Sequence, residues 1–107
     1  MSGMQKKVWK ARVLPGMLEE YIRRHDEIWP EMSAALHESG IRNYTIWNHG
    51  SELIGYYECA DVEAAERYKA QSPVMKRWSE SMRGVMEMAV EEETGVPFQY
   101  RQVFELP

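Results

Sequence analysis

Apolar and polar residues alternate near the start of the chain. Trp9, Ala11 and Val13 share one parity and Lys10 and Arg12 the other, the two-residue repeat of a β-strand. Pro15-Gly16 ends it. The period then changes: Met17, Leu18, Tyr21, Ile22 and His25 fill one stripe at about 100° per residue, with Glu19, Glu20, Arg23 and Arg24 opposite. This predicts a helix whose solvated side carries Glu19/Arg23 and Glu20/Arg24 pairs at i,i+4. Pro30 suits the first position of a second helix, where its missing N–H is no loss, and Met32, Ala35 and Leu36 continue it to Gly40 at C′. Ile41–Trp47, rich in β-branched and aromatic residues, reads as a strand. Asn48-His49-Gly50-Ser51 is a turn and Glu52–Glu58 the returning strand of a hairpin. Asp61 caps a short helix running to about Ala70. Ser72-Pro73 starts another, with an apolar stripe of Val74, Met75, Trp78, Met82, Val85 and Met86. Glu91–Gly95 reads as an exposed loop, and Phe98, Tyr100, Phe104 and Leu106 against Gln99, Arg101 and Glu105 as a final alternating strand.

The order β-α-β-β-α-β, each α segment split by a proline start, predicts an α+β domain with a ferredoxin-like four-stranded antiparallel sheet and helices on one face. Tyr44, Trp47, Tyr56 and Tyr57 fall at both parities of the hairpin, so no register hides them all under the helices. A sheet apolar on both sides needs a cover on each. A second copy of the chain and a concave pocket lined by aromatics are both expected.

Length and composition narrow the function. The 107 residues fit one domain, without repeats or a linker. A formal charge of −4, with no Lys/Arg run, argues against a nucleic-acid or anionic-membrane partner. No apolar stretch is long enough to span a bilayer, and no apolar region follows Lys6-Lys7 as a signal peptide requires. The single Cys59 offers no internal disulfide, and Cys/His metal spacing is absent. The balance is that of a cytoplasmic globular domain.

His25 is the most informative residue, since it interrupts an apolar stripe. A buried neutral histidine with satisfied hydrogen bonds would explain a lone case. Here Tyr21 lies one turn earlier on the same face, and Asp26 and the break before Trp29-Pro30 put His25 at a helix end. Imidazole is the side chain that changes charge near neutral pH, so His25 and Tyr21 read as an acid/base pair facing a pocket. His37 reads as exposed, His49 as a turn residue and Cys59 as a small hydrophobe at a strand end. Trp78 lies within the Met-rich stripe and Ser79 at its edge. A Gly-rich phosphate loop, a nucleophile elbow and a paired carboxylate site are all missing. Histidine, tyrosine and tryptophan remain. Aromatic faces stack on the C–H surfaces of sugars while hydroxyl and imidazole groups bind their oxygens, so a small neutral polyol is a reasonable ligand.

The segment Glu20-Tyr21-Ile22-Arg23-Arg24-His25-Asp26-Glu27-Ile28-Trp29-Pro30-Glu31 resembles the signature region of the L-rhamnose mutarotase family. Asn43-Tyr44-Thr45-Ile46, Lys76-Arg77-Trp78 and Gln102-Val103-Phe104-Glu105-Leu106-Pro107 resemble other parts of it in the same order. The resemblance implies a dimeric α+β barrel with a ferredoxin-like sheet. It also implies interconversion of the α and β anomers of L-rhamnose or a related 6-deoxy-L-hexose, without cofactor or metal. Through it His25 becomes the catalytic proton donor, and Tyr21, Tyr44, Trp78 and Ser79 become substrate-binding positions. Ser79 stands where family members carry the second of two tryptophans; this removes one stacking surface and leaves L-fucose open as the sugar. On fold alone, a cofactor-free monooxygenase or isomerase of the dimeric ferredoxin-like class, or a non-catalytic small-molecule-binding module, would also fit.

Overall fold

The computed structural model describes residues 4–107. Strand β1 (Gln5–Val13) leads into helices α1 (Leu18–Asp26) and α2 (Pro30–Glu38). The hairpin β2 (Arg42–His49) and β3 (Glu52–Cys59) follows, then α3 (Val62–Gln71), α4 (Pro73–Ser81) and a short β4 (Met86–Met88). The sheet is four-stranded and antiparallel in the order β2-β3-β1-β4, the expected α+β, ferredoxin-like arrangement.

The element starts follow from their sequences. The Asp61 carboxylate accepts from the Ala64 N–H at 3.1 Å and the Ser72 hydroxyl from the Met75 N–H at 3.2 Å, each satisfying a donor that a helix start leaves free. Pro30 and Pro73 open α2 and α4. Gly40, with φ +94°, ends the α2 segment in the left-handed region.

The register sorts the side chains. Trp9 faces Gly55 across β1 and β3, Ala11 faces Leu53 and Lys7 faces Tyr57; Met86 and Met88 of β4 pair with Val13 and Ala11. These residues share the face that the helices cover. Ala11, Val13, Leu53, Tyr57 and Cys59 are buried there, under Tyr21, Met32, Ala35, Ala65, Met75 and Met82. Val8, Ile54, Tyr56 and Trp47 take the outer face, where Trp47 is 68% exposed. The hairpin aromatics thus divide between the two faces, as their parity requires. A β-bulge between Arg42 and Thr45, with Asn43 at φ +52°, lets Tyr44 point inward although Arg42 pairs with the outward-facing Glu58.

Three expectations are corrected. Residues 98–106 form no strand: the strand that pairs with β1 after α4 is Met86–Met88, opposite Ala11–Val13, and the tail's alternation is not matched by any ladder pairing. Val85 and Met86 do not extend α4. The helix ends at Ser81, and after a turn Val85 packs into the core while Met86 enters β4, continuing a helical spacing by coincidence. Glu19 does not pair with Arg23, which bonds Glu20 and Glu27 instead, while Glu20 also holds Arg24 at 2.6 Å.

Candidate active site

A cavity of 920 Å³ opens between the helices and the inner face of the sheet, within the range of small-molecule sites, about 300–1,000 Å³. His25, Tyr21, Trp78 and Ser79 line it from α1 and α4, and Tyr44 from β2. The structure therefore brings together all the residues singled out from the sequence. His37, His49 and Cys59 do not line it: the two histidines are exposed, and Cys59 is a buried free thiol at the end of β3.

His25 sits in the last turn of α1. Its Nδ1 lies 2.9 Å from the Tyr21 carbonyl oxygen. A carbonyl only accepts, so Nδ1 carries a proton and donates it. Nε2 is left as the nitrogen able to exchange a proton with something else. The ring is bracketed by Tyr21 (centroids 4.3 Å apart) and by Trp78, which presents itself edge-on at 5.4 Å. Trp78 makes a second edge-on contact with Trp29 at 5.2 Å. The Arg24 guanidinium donates to the Ser81 carbonyl at 2.5 Å and to Glu20 at 2.6 Å, tying α1 to the end of α4 and holding His25 and Trp78 together.

The sheet side supplies phenols. Trp9 Nε1–H donates to the Tyr44 hydroxyl at 2.9 Å. Tyr44 packs on Tyr57 with ring centroids 5.2 Å apart, and the Tyr57 hydroxyl donates to Glu66 at 3.1 Å. Burial pushes the Tyr44 phenol up from 10.0 to about 12, against the opposing effect of the Trp9 N–H and with some help from the Glu66 charge. Burial, and secondarily the neighbouring Tyr44, raises Tyr21 further still. Both are neutral phenols at neutral pH: hydrogen-bonding groups, not phenolate bases.

These shifts carry a stability consequence. A phenol that ionises near 10 when unfolded and near 12 when folded favours the folded state fully below pH 10 and progressively less as the pH climbs through that interval. Urea unfolding followed from neutral pH upward should show stability falling above pH 10, with Tyr44→Phe giving a shallower decline than the wild type. A parallel decline in the two proteins would contradict the burial of Tyr44.

Sequence reasoning missed Trp9, Trp29 and Phe98 as members of this neighbourhood. Trp9 and Phe98 line the cavity, and Trp29 precedes Pro30 as the N-cap residue of α2. Tryptophan in the signature segment was a visible signal for Trp29; Trp9 had none apart from its strand parity. Among the described residues, no group of three or more His, Cys, Asp or Glu side chains gathers to hold a metal, and no helix is long and apolar enough to cross a membrane.

A helix-covered antiparallel sheet enclosing an aromatic-walled cavity, with one imidazole free at Nε2 and neutral phenols around it, defines a small-molecule site suited to proton transfer. The family model described as L-rhamnose mutarotase matches residues 6–106. An L-rhamnose mutarotase of Lachnoclostridium phytofermentans is 37% identical over 86 residues, 78% of this chain and 82% of the relative. One of Escherichia coli O8 is 34% identical over 106 residues, 97% of this chain and 100% of the relative. The crystal structure of an L-rhamnose mutarotase from Formosa agariphila shares the fold with a TM-score of 0.76 at 22% identity, covering 96% of this chain and 99% of that one. A nipsnap family protein of unknown function from Agrobacterium tumefaciens superposes less closely, with a TM-score of 0.58 at 15% identity over 79% and 80% of the two chains. The chain belongs to the L-rhamnose mutarotase family.

Proposed function

We propose that this protein is an isomerase that interconverts the α and β anomers of L-rhamnose, with His25 Nε2 as the atom that delivers the proton. Mutarotation breaks one bond to carbon. As the anomeric O1–H gives up its proton, C1=O1 forms and the C1–O5 electron pair moves to the ring oxygen, which must be protonated. Rotation about C1–C2 and reversal of these steps close the ring on the other face of the aldehyde. An imidazolium held by Nδ1 to a carbonyl, on a residue that lines the cavity, suits the donation to O5 through its remaining N–H. A bound water takes the O1 proton in this scheme, because Tyr21 and Tyr44 stay neutral and serve to orient the sugar. Trp78 and Ser79 line the cavity from α4, where an indole suits the C–H surface of a sugar and a hydroxyl its oxygens.

The observation that carries the reading is the Nδ1 bond to the Tyr21 carbonyl, which leaves Nε2 as the exchanging nitrogen beside the cavity. NMR saturation transfer between the anomers of L-rhamnose, repeated with L-fucose, tests it. Exchange faster than in buffer alone is expected, greatest with L-rhamnose. Sugar binding without faster exchange would favour a non-catalytic module and overturn the proposal.

The working unit is a homodimer. Trp47 stands on the outer face of the sheet, and Val103, Phe104 and Leu106 of the tail are 82%, 76% and 79% exposed. Lys6 Nζ bonds Glu105 at 3.0 Å and Lys10 Nζ lies over the Phe98 ring, so the tail is held beside that face by two outward lysines. Apolar surface of this kind suits a second copy. Sedimentation should give twice the 12.6 kDa chain mass, and Phe104→Asp combined with Leu106→Asp should return a monomer. A monomeric wild type at micromolar concentration would contradict the assignment.

A further inference from the structure

Gly55 is not required by its backbone angles; it is required by space. Gly55 and Trp9 are direct cross-strand partners on the inner face, and a Cβ built on Gly55 would fall within the Trp9 indole, against Cε2, Nε1 and Cζ2. The indole therefore lies flat across the neighbouring strand, at the floor of the cavity, and only a glycine lets it descend that far. In this position its Nε1–H meets the Tyr44 hydroxyl at 2.9 Å. Indole N–H is a donor and never an acceptor, whereas a phenol has one proton and two lone pairs. Accepting from Trp9 occupies a lone pair and leaves the Tyr44 proton to be donated elsewhere. Among the described residues the Tyr44 hydroxyl donates to no partner, and its residue lines the cavity.

We propose that Trp9, seated on Gly55, is a positioning residue that makes the Tyr44 hydroxyl a committed donor to an oxygen lone pair of the bound sugar. The inference rests on the mutarotase reading and adds to it a specificity device on the sheet side, remote in sequence from the histidine. Its action is on binding. Tyr44 serves ground state and transition state alike, so losing its orientation should raise KM with little effect on kcat. A net hydrogen bond of about 0.5–1.5 kcal/mol corresponds to about 2- to 12-fold in affinity.

The test compares wild type, Trp9→Phe, Tyr44→Phe, Gly55→Ala and the pairs W9F/Y44F and W9F/G55A, with L-rhamnose as probe and saturation transfer giving KM and kcat separately. W9F, Y44F and G55A are each expected to raise KM by about 2- to 12-fold with kcat within about twofold. W9F/Y44F should be no worse than Y44F alone and W9F/G55A no worse than W9F alone, because the three residues act through one bond. The indole N–H resonance of Trp9, assigned by its loss in W9F, should move in Y44F and G55A, which checks the bond without any sugar. Additive effects, an unchanged KM, or a loss confined to kcat would overturn the proposal and leave the mutarotase reading standing. A wild type that does not speed anomer exchange would overturn both, while the indole resonance would still report whether the Trp9–Tyr44 bond exists.

Discussion

Replacing His25 by alanine is expected to slow anomer exchange of L-rhamnose by about 10²- to 10⁴-fold, the usual contribution of a positioned proton donor. The size of the loss follows from there being one imidazole in the cavity and no phenolate to replace it. His25→Gln keeps a hydrogen-bonding side chain of similar reach but cannot shuttle a proton between two states, so it should fall almost as far. Neither variant should unfold the protein: His25 is half-buried in the last turn of α1, and its one hydrogen bond runs to its own helix. Circular dichroism unchanged alongside the loss would assign it to chemistry. Exchange within about twofold of wild type in both variants would remove His25 from the mechanism.

Trp78→Ala is expected to cost both stability and activity. The indole packs against two core clusters, one centred on Leu53, Val85 and Tyr21 and the other on Met32, Ala35 and Met75. It also touches His25 and Trp29 edge-on. Cutting a tryptophan to alanine in a core costs about 3–5 kcal/mol, and for this half-buried ring about 3 kcal/mol is expected. Urea unfolding would read that loss as a lower midpoint at constant slope. Activity should fall at conditions where the variant is still folded, since His25 loses one of its two ring neighbours and the cavity one of its aromatic walls. Trp78→Phe should recover most of the stability and part of the activity. A stable, fully active Trp78→Ala would show that the helix-side wall does not hold the imidazole.

Much of this architecture is legible along the chain because it is local. The alternation of Trp9, Ala11 and Val13, the caps at Asp61 and Ser72, and the prolines that open α2 and α4 each depend on neighbours a few residues away. His25 is legible for a related reason: a helical stripe is a local pattern, and a titratable ring within it stands out. What escaped depends on distant pairing. The alternation at 98–106 is a real periodicity, but a strand exists only where its backbone pairs with a neighbour, and the pairing with β1 after α4 falls to Met86–Met88. Likewise the fit of Trp9 over Gly55 depends on the β1–β3 register. A glycine in the middle of β3 signals close approach by something, yet only the pairing says that the something is an indole. The tie from Arg24 to Ser81 joins residues far apart in sequence, and i,i+4 reasoning finds only its Glu20 half.

The claim beneath the whole account is that the sugar meets His25 through Nε2 while Nδ1 stays committed to the Tyr21 carbonyl. Nitrogen-15 NMR of histidine-labelled protein, recorded with and without L-rhamnose, addresses it atom by atom. The account predicts a His25 Nδ1 that remains protonated throughout and an Nε2 resonance that moves as the sugar is added. A sugar-dependent change at Nδ1 with Nε2 unmoved, or no response of His25 at saturating L-rhamnose, would contradict it.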